Sequence, residues 1–564
     1  MKEILRSKKL VYLALTTILV LSLVLIGLSC SSNPTTSTTT SKPPTTTTTS
    51  APPTSTTSKP PTTTTTSAPP PTTTTTSTVT PKSGGNLKIY LPNEPFSLWP
   101  PTMTGQTDGE YANICEETLF KLDEQGNIAP WLATDYIADA NSNTFTIHLK
   151  KGIKFSDGSD FNSAVVKWNM QKYMAGSKAE LSQVTTIDTP DDYTVILHLK
   201  QFDNTMIINL STAADAGRMC SMVSFNANGG QAWAEKNPVG TGPFKFVSWT
   251  KDVSIIYARN DNYWGGKPYL DQIQYLRISD PTTAQMAFTS GGLDLYGPDP
   301  SIAKPLIDSG KYNWAVTPEG QFPAYAGYCG DPTTPFNKLE VRQAISYAIN
   351  AQALSTAFGL GYWQVSNQWA VPGTWGFNTK VVGYPYNTSK AKSLLTAAGY
   401  TSPLAFQISF YNTSQALIDE NTAIQKMLND AGFNITLNPL QRPAFADAAT
   451  NGKGWVGIIR EQGYSSNDPL VKYANVARGL EFKGMYLPQE FVDTYFKAIA
   501  APDQATKQTL TQQLMYLAID KYCMHSPMYV QGSPIVKQKR VMDDRFGQSP
   551  YRFINPFVWV SDGK

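Results

Sequence analysis

Histidine is almost absent: His148, His198 and His525 are the only three in 564 residues. No two stand close enough to form the clustered ligand pattern of a zinc site. Cysteine is scarce too, with Cys30, Cys115, Cys220, Cys329 and Cys523 and no CxxC pair. Charged residues make up only 16% of the chain. The sequence also lacks a G-x-S-x-G elbow, an H-E-x-x-H, a P-loop and a G-x-G-x-x-G after a strand. These absences remove the commonest nucleophile, metal and nucleotide signatures. A catalytic carboxylate pair has no diagnostic spacing, so the scattered Asp and Glu argue neither way. Nothing asks for catalysis, and neither a metal nor a cofactor is expected.

What is present begins at the N-terminus. Lys2, Arg6, Lys8 and Lys9 precede an apolar run from Leu10 to Leu28, which ends at Ser29-Cys30. A basic region, an apolar stretch and a small residue before a cut describe a secretory signal, here residues 1–29. The run has 19 residues, which is also just enough to span a bilayer as an uncleaved anchor. Ile26-Gly27-Leu28-Ser29-Cys30 resembles the lipobox of bacterial lipoproteins, with Gly27 where that box prefers Leu. Lipidation at Cys30 is the expectation, placing the body outside the cytoplasmic membrane, in a periplasm or at the cell surface.

Residues 30–83 are the lipidated cysteine and a linker of Thr, Ser and Pro, in which SKPPTTTTTSAPP occurs at 41–53 and again at 58–70. Such a segment buries no apolar surface and favours extended, solvated backbone. The formal charge of +3 resides in these targeting segments. Removing residues 1–29 takes away four basic residues and Glu3, and the linker holds Lys42, Lys59 and Lys82 with no acid, so the body is acidic by about three charges. No basic surface for nucleic acid is expected. The remaining four cysteines allow three disulfide pairings in an oxidising compartment, and the sequence does not choose among them.

From Ser83-Gly84-Gly85 onward, strand and helix patterns alternate. Asn86–Leu91, Thr144–Leu149 and 193–199 read as strands by alternation. Residues 163–174, 338–358 and 389–398 have helical spacing, the last with a cap at Asn387 to Ser389. A chain this long needs more than one core, and the mixture implies α/β lobes without a solenoid repeat.

Several segments carry a resemblance. Residues 144–170 read TFTIHLKKGIKFSDGSDFNSAVVKWNM, a strand, a basic turn, the tight turn Asp157-Gly158 and a helix capped by Asn162 or Ser163. They are followed by NPVGTGPF at 237–244 and a strand at 245–249. NYWGGKPYL at 262–270 leads to a strand at 273–278 and a helix ending at 292–295. PFNKLEVRQAISYAINAQAL at 335–354 and YPYNTSKAKSLLTAAGY at 384–400 complete the series. In this order the segments resemble the family 5 extracellular solute-binding proteins of ABC importers, the group with oligopeptide-, dipeptide- and nickel-binding receptors.

The resemblance implies a two-lobed α/β fold like that of periplasmic binding proteins of type II. An extra subdomain belongs to the first lobe, and the ligand cleft lies between the lobes. It implies a discontinuous first lobe, 84–320 with a C-terminal return at 526–564, and a second lobe at 321–525. It further implies a monomer that hands a small organic ligand, by default a peptide, to a membrane permease. Opines, metal chelates and oligosaccharides are the alternatives, as is a surface sensor or folding helper without transport.

Candidate ligand residues follow from the same alignment. Peptide receptors of the family commonly hold the ligand's ammonium with an aspartate four residues before a proline. Here the loop reads Gly463-Tyr464-Ser465-Ser466-Asn467-Asp468-Pro469, which places Ser465 at that position. A neutral hydroxyl does not replace a charge-assisted bond. Tyr464, Asn467 and Asp468 remain candidates, although Asp468 also suits a helix cap. Trp99 stands where relatives often carry Asp, and Tyr111 is a further first-lobe aromatic. Tyr362, Trp363, Trp369 and Trp375 crowd a stretch that faces the cleft in relatives and suit stacking on a ligand. For each ring, core packing is the competing expectation. His148 and His198, inside strand patterns, are expected in the lobe core or at a sheet edge rather than on a metal.

Overall fold

The structure, a computed structural model, describes residues 80–562 apart from 104–105, 125, 177–178, 318–320, 413, 452–454, 462–467 and 546–554. The signal segment, Cys30 and nearly all of the linker therefore lie outside the described residues. Among the described residues no helix is long and apolar enough to cross a membrane.

Alternation at Asn86–Leu91 turns Leu87, Ile89 and Leu91 into a core. This strand runs parallel to Gln272–Arg277 inside a seven-stranded sheet. In spatial order the sheet contains Asn313–Val316, Pro534–Lys537, Leu295–Tyr296, Asn86–Leu91, Gln272–Arg277, Ser254–Arg259 and Phe244–Thr250. A separate antiparallel sheet of Ala133–Asp139, Thr144–Leu149, Thr194–Leu199 and Val184–Asp191 packs against the helix Ser163–Ala175. The core between them joins Phe145, Ile147 and Leu197 to Val166, Met170 and Tyr173.

A third sheet has five strands, ordered Phe433–Leu440, Leu404–Tyr411, Ile458–Glu461, Ala324–Gly327 and His525–Pro527. It is covered on both faces, which is why its central strands are mostly apolar, with the charges of Ile458–Glu461 as the exception. On one face Tyr325, Ile408 and Ile458 meet Leu339–Ala348, Thr388–Ala397 and Gln415–Asp430. On the other, Ala324, Ala326 and Ile459 meet Pro469–Ala477, Gln489–Ile499 and Gln504–Tyr516. The protein is thus a two-lobed α/β fold.

Two chain segments join the lobes. One leads from Asn313–Val316 to Ala324–Gly327, the other from His525–Pro527 to Pro534–Lys537. They lie side by side: Thr317 N–H donates to the Ser533 carbonyl (3.1 Å), and Gln531 N–H to the Gln321 carbonyl (2.9 Å). Tyr529–Gln531 also pairs with Trp363–Val365. His525–Pro527 belongs to the five-stranded sheet, so the return to the first sheet starts at Pro534, later than the expected position 526.

The motif segments form one scaffold around a buried carboxylate. Glu117 accepts from Trp131 Nε1 (2.7 Å), Tyr263 Oη (2.6 Å), Trp264 Nε1 (2.7 Å) and Thr241 Oγ1 (2.7 Å). The Tyr-Trp pair of 262–270 and the threonine of 237–244 are thereby tied to one residue. Gly240 is required by close approach, since a Cβ there would sit 2.1 Å from the Cys115 carbonyl oxygen. At the Asp157 turn, Gly158 takes φ +89°, and Asn162 caps the next helix by accepting from Val165 N–H (3.1 Å).

Three expectations are corrected. The helical stretch at 338–358 is two helices, Leu339–Ala348 and Ala351–Gly359, because Ile349 is extended and Asn350 caps the second through Ala353 N–H (3.0 Å). The helix expected to reach 292–295 stops at Thr289, and Leu295–Tyr296 is a strand. His148 and His198 occupy neither core nor edge. They sit on the open face of the two central strands of the four-stranded sheet, His148 bonded to Asp135 and His198 to Asp188 (2.9 Å). The four described cysteines are free thiols, each hydrogen-bonded locally: Cys220 to Glu116 (3.0 Å) and Cys115 to the Pro238 carbonyl (3.4 Å), for example.

Candidate ligand-binding site

The strand Ile458–Glu461 ends in two buried charges that point to opposite faces of its sheet. Arg460 turns toward Glu420, donating from Nη2 at 3.0 and 3.3 Å, and Tyr529 Oη donates to the same carboxylate. Tyr325 Oη donates to Asn421 (2.6 Å) beside them. The pair is fully enclosed, yet Arg460 Nε and Nη1 have no partner.

Glu461 takes the other face. It is wholly buried, and its Oε2 lies 3.3 Å from His525 Nδ1, whose Nε2 is 3.0 Å from Tyr473 Oη. The Trp369 ring packs edge-on against His525 (4.2 Å between centroids) and against Tyr473 (5.1 Å). Lys472 Nζ lies 4.5 Å above the centre of that indole. Burial pushes the Lys472 ammonium down to about 8, with Glu461 and Glu481 opposing the shift. Three buried atoms of this cluster lack any hydrogen bond: Lys472 Nζ, Trp369 Nε1 and Glu461 Oε1. Two unused donors and one unused acceptor at one place suit a polar group that both accepts and donates.

Lys472 belongs to the helix Pro469–Ala477, which reaches the first lobe. Its neighbour Val471 packs on Leu122, Ile208 and Ala213, and Arg478 at the helix end donates to Asp203 (2.9 Å). Asp468 caps the helix by accepting from Leu470 N–H (3.0 Å), and its other oxygen pairs with Lys507. Lys507 in turn lies over the Trp375 ring at 5.5 Å.

The remaining candidates are dispersed. Trp99 is buried against Trp168 and Phe225, with centroids 5.8 and 5.0 Å away. Tyr111 is buried beside Tyr275, and its carbonyl accepts from Tyr257 Oη (2.8 Å). Trp363 stacks on Tyr529 at 4.7 Å, and Tyr362 meets Trp314 of the first lobe at 6.1 Å. Both rings flank the segments that join the lobes. Tyr464, Ser465 and Asn467 lie outside the described residues. Among the described candidates, Trp369, Asp468 and Trp375 gather around the helix Pro469–Ala477, through Lys472 and Lys507, while Tyr362 and Trp363 sit together by the joining segments.

Glu461, Lys472, His525 and the Arg460–Glu420 pair were not singled out from sequence. The available signal was a pair of charges closing an apolar strand and a lysine inside an otherwise apolar helix.

Two α/β lobes are thus joined by a pair of adjacent segments, and the unpaired Lys472 ammonium lies beside a contact between them. Residues 127–479 match the family model of bacterial extracellular solute-binding proteins, family 5. The chain belongs to this family of ABC-importer binding proteins, which work outside the cytoplasm. It is 28% identical over 484 residues to heme-binding protein A of Haemophilus influenzae, covering 78% of this chain and 85% of that protein. It is 27% identical over 419 residues to the glutathione-binding protein GsiB of Pectobacterium atrosepticum, covering 70% and 78%. The fold is shared with DppA of Helicobacter pylori in complex with the peptide STSA, at a TM-score of 0.72 and 24% identity, covering 85% and 99%.

Proposed function

We propose that this chain captures a small organic solute, a short peptide in the first instance, and delivers it to an ABC permease without chemical change. The reading also takes Cys30 as a lipid anchor, residues 30–83 as a tether, and the folded body as a monomer of two lobes, the first completed by a C-terminal return. The observation that carries it is the unpaired set of Lys472 Nζ, Trp369 Nε1 and Glu461 Oε1, of which Lys472 stands on a helix that also touches the first lobe. A peptide group offers the matching oxygen and N–H. Relatives named for glutathione and for a bound tetrapeptide support the peptide class. A second reading, heme, is favoured by the relative named for it.

The test is thermal unfolding of the purified protein with glutathione, tri- to pentapeptides and heme, beside native mass spectrometry of any co-purified molecule. A solute at one hundred times its dissociation constant stabilises by about 2.7 kcal/mol. Stabilisation by heme alone would replace the peptide reading. For the anchor, Cys30→Ser should release the protein from the membrane fraction; retention would point to an uncleaved anchor.

A further inference from the structure

Apart from the two joining segments, the lobes meet at a junction built from named polar groups. In the first lobe, Phe202 is fixed in the core of the four-stranded sheet, its ring stacked on Phe145 at 5.2 Å. The next two residues reach the second lobe. Asp203 is buried, and its Oδ1 accepts from Thr205 N–H (3.0 Å) and Oγ1 (2.6 Å), which orients the carboxylate. Its Oδ2 accepts from Arg478 Nη2 at 2.9 Å. Arg478 is held from behind, donating from Nη1 to Tyr495 Oη (2.9 Å).

Asn204 closes the end of a helix across the gap. Its N–H donates to the Ile499 carbonyl (2.7 Å), and Nδ2 donates to the carbonyls of Ala498 (2.8 Å) and Ala501 (3.1 Å). Ala498 and Ile499 belong to the C-terminal turn of Gln489–Ile499, where a helix's last carbonyls lack i+4 partners, and Ala501 follows it. Val471 seals the same junction against Leu122, Ile208 and Ala213. The helix's own chain bonds the Ala498 carbonyl through Ala500 and Ala501 N–H, and Asn204 adds donors from the other lobe.

We infer that Asp203, Asn204 and Arg478 set solute affinity by holding the lobes closed, and do so whichever solute fills the cleft. When the lobes part, the Asp203–Arg478 bond and three carbonyl bonds are exchanged for water, so each group favours the closed form only. The apparent dissociation constant is the intrinsic one divided by the fraction of molecules competent to bind, here the closed form. Weakening the junction therefore weakens every solute by one common factor. A residue that touched the solute would act differently on different solutes.

The experiment compares wild type with Arg478→Met and Asn204→Ala, the second being the milder change. Single-molecule energy transfer between dyes on Lys267→Cys and Lys392→Cys, both exposed and in different lobes, counts closed molecules without solute. The expected result is a several-fold lower closed fraction in both variants. Dissociation constants for glutathione, trialanine and heme should then rise together, by about tenfold for Arg478→Met, the loss of one charge-assisted bond. An unchanged closed fraction overturns the inference, as does a loss confined to one solute. If none of the three solutes binds wild type, the closed fraction alone decides the junction, and it is the proposed solute class that fails.

Discussion

At the residue scale, burial pushes up the carboxyls of two adjacent glutamates, but the two are held differently. Glu117 has four donors aimed at its two oxygens, and their dipoles oppose the upward push of burial. Glu117→Gln places an NH2 against two of those donors. A loss of about 3 kcal/mol in urea unfolding is expected. A change below about 1 kcal/mol would mean the motif segments are held by packing alone. Glu116 lacks that shell: Cys220 Sγ–H reaches Oε1, while Oε2 has no partner. Arg218 is committed to Asp215 (3.0 Å) and to the Glu116 backbone carbonyl, not to its carboxylate. Burial therefore pushes the Glu116 carboxyl up to about 8, with Arg218 and the Cys220 hydrogen bond only partly opposing. A group whose folded value is raised keeps its proton in the native state and loses it on unfolding. Its contribution is full below the unfolded value, near 4.5, and fades as pH rises to about 8. Wild type should lose stability across that window relative to Glu116→Gln, measured as the difference in melting temperature against pH. Parallel curves would show that Glu116 does not titrate there.

Elements were legible wherever periodicity and burial agree. Asn86–Leu91 and Thr144–Leu149 alternate strictly because each has one face on a core, and their boundaries match. The stretch 338–358 failed because spacing alone passes smoothly through Ile349-Asn350, whereas the break is made by a cap that periodicity does not encode. Asn350→Ala removes the bond to Ala353 N–H and should cost about 1 kcal/mol in unfolding experiments. A neutral result would mean the break is set by packing of Leu354 in the core. The candidate site was less legible for a related reason. Arg460, Glu461 and Lys472 break the apolar pattern of their elements, and their partners Glu420 and His525 are remote in sequence. Trp369, Trp99 and Tyr111 all pack in lobe cores, the first in the second lobe and the other two in the first. A lone aromatic does not announce which side of a lobe it faces. Lys472→Met separates the possibilities for the cluster: it removes a buried, unbonded ammonium, so the solute-free protein should melt higher while solute stabilisation is lost. A lower melting temperature would place Lys472 in the structural core instead.

At the scale of the molecule, continuity of the chain is what couples the lobes. Pro534–Lys537 is an interior strand of the seven-stranded sheet, bonded to Asn313–Val316 on one side and Leu295–Tyr296 on the other. The first lobe is therefore completed by residues that follow the whole of the second, and the hydrophobic contacts of Ile535 and Val536 join two of its core clusters. Ending the chain before Pro534 detaches the edge strand Asn313–Val316 and leaves Leu295–Tyr296 as an unpaired edge. The truncated protein is expected to keep the five-stranded sheet, whose last strand is His525–Pro527, and to lose cooperative unfolding of the first lobe. Hydrogen exchange with mass spectrometry would read this directly: protection should collapse over Asn86–Leu91 and Gln272–Arg277 and persist over Leu404–Tyr411. Removal of residues 1–79 should leave both melting temperature and protection unchanged, since Thr78–Lys564 forms a compact unit by its own contacts. If the C-terminal truncation instead unfolds both lobes together, the lobes do not fold independently, and closure would be a motion within one cooperative unit rather than between two.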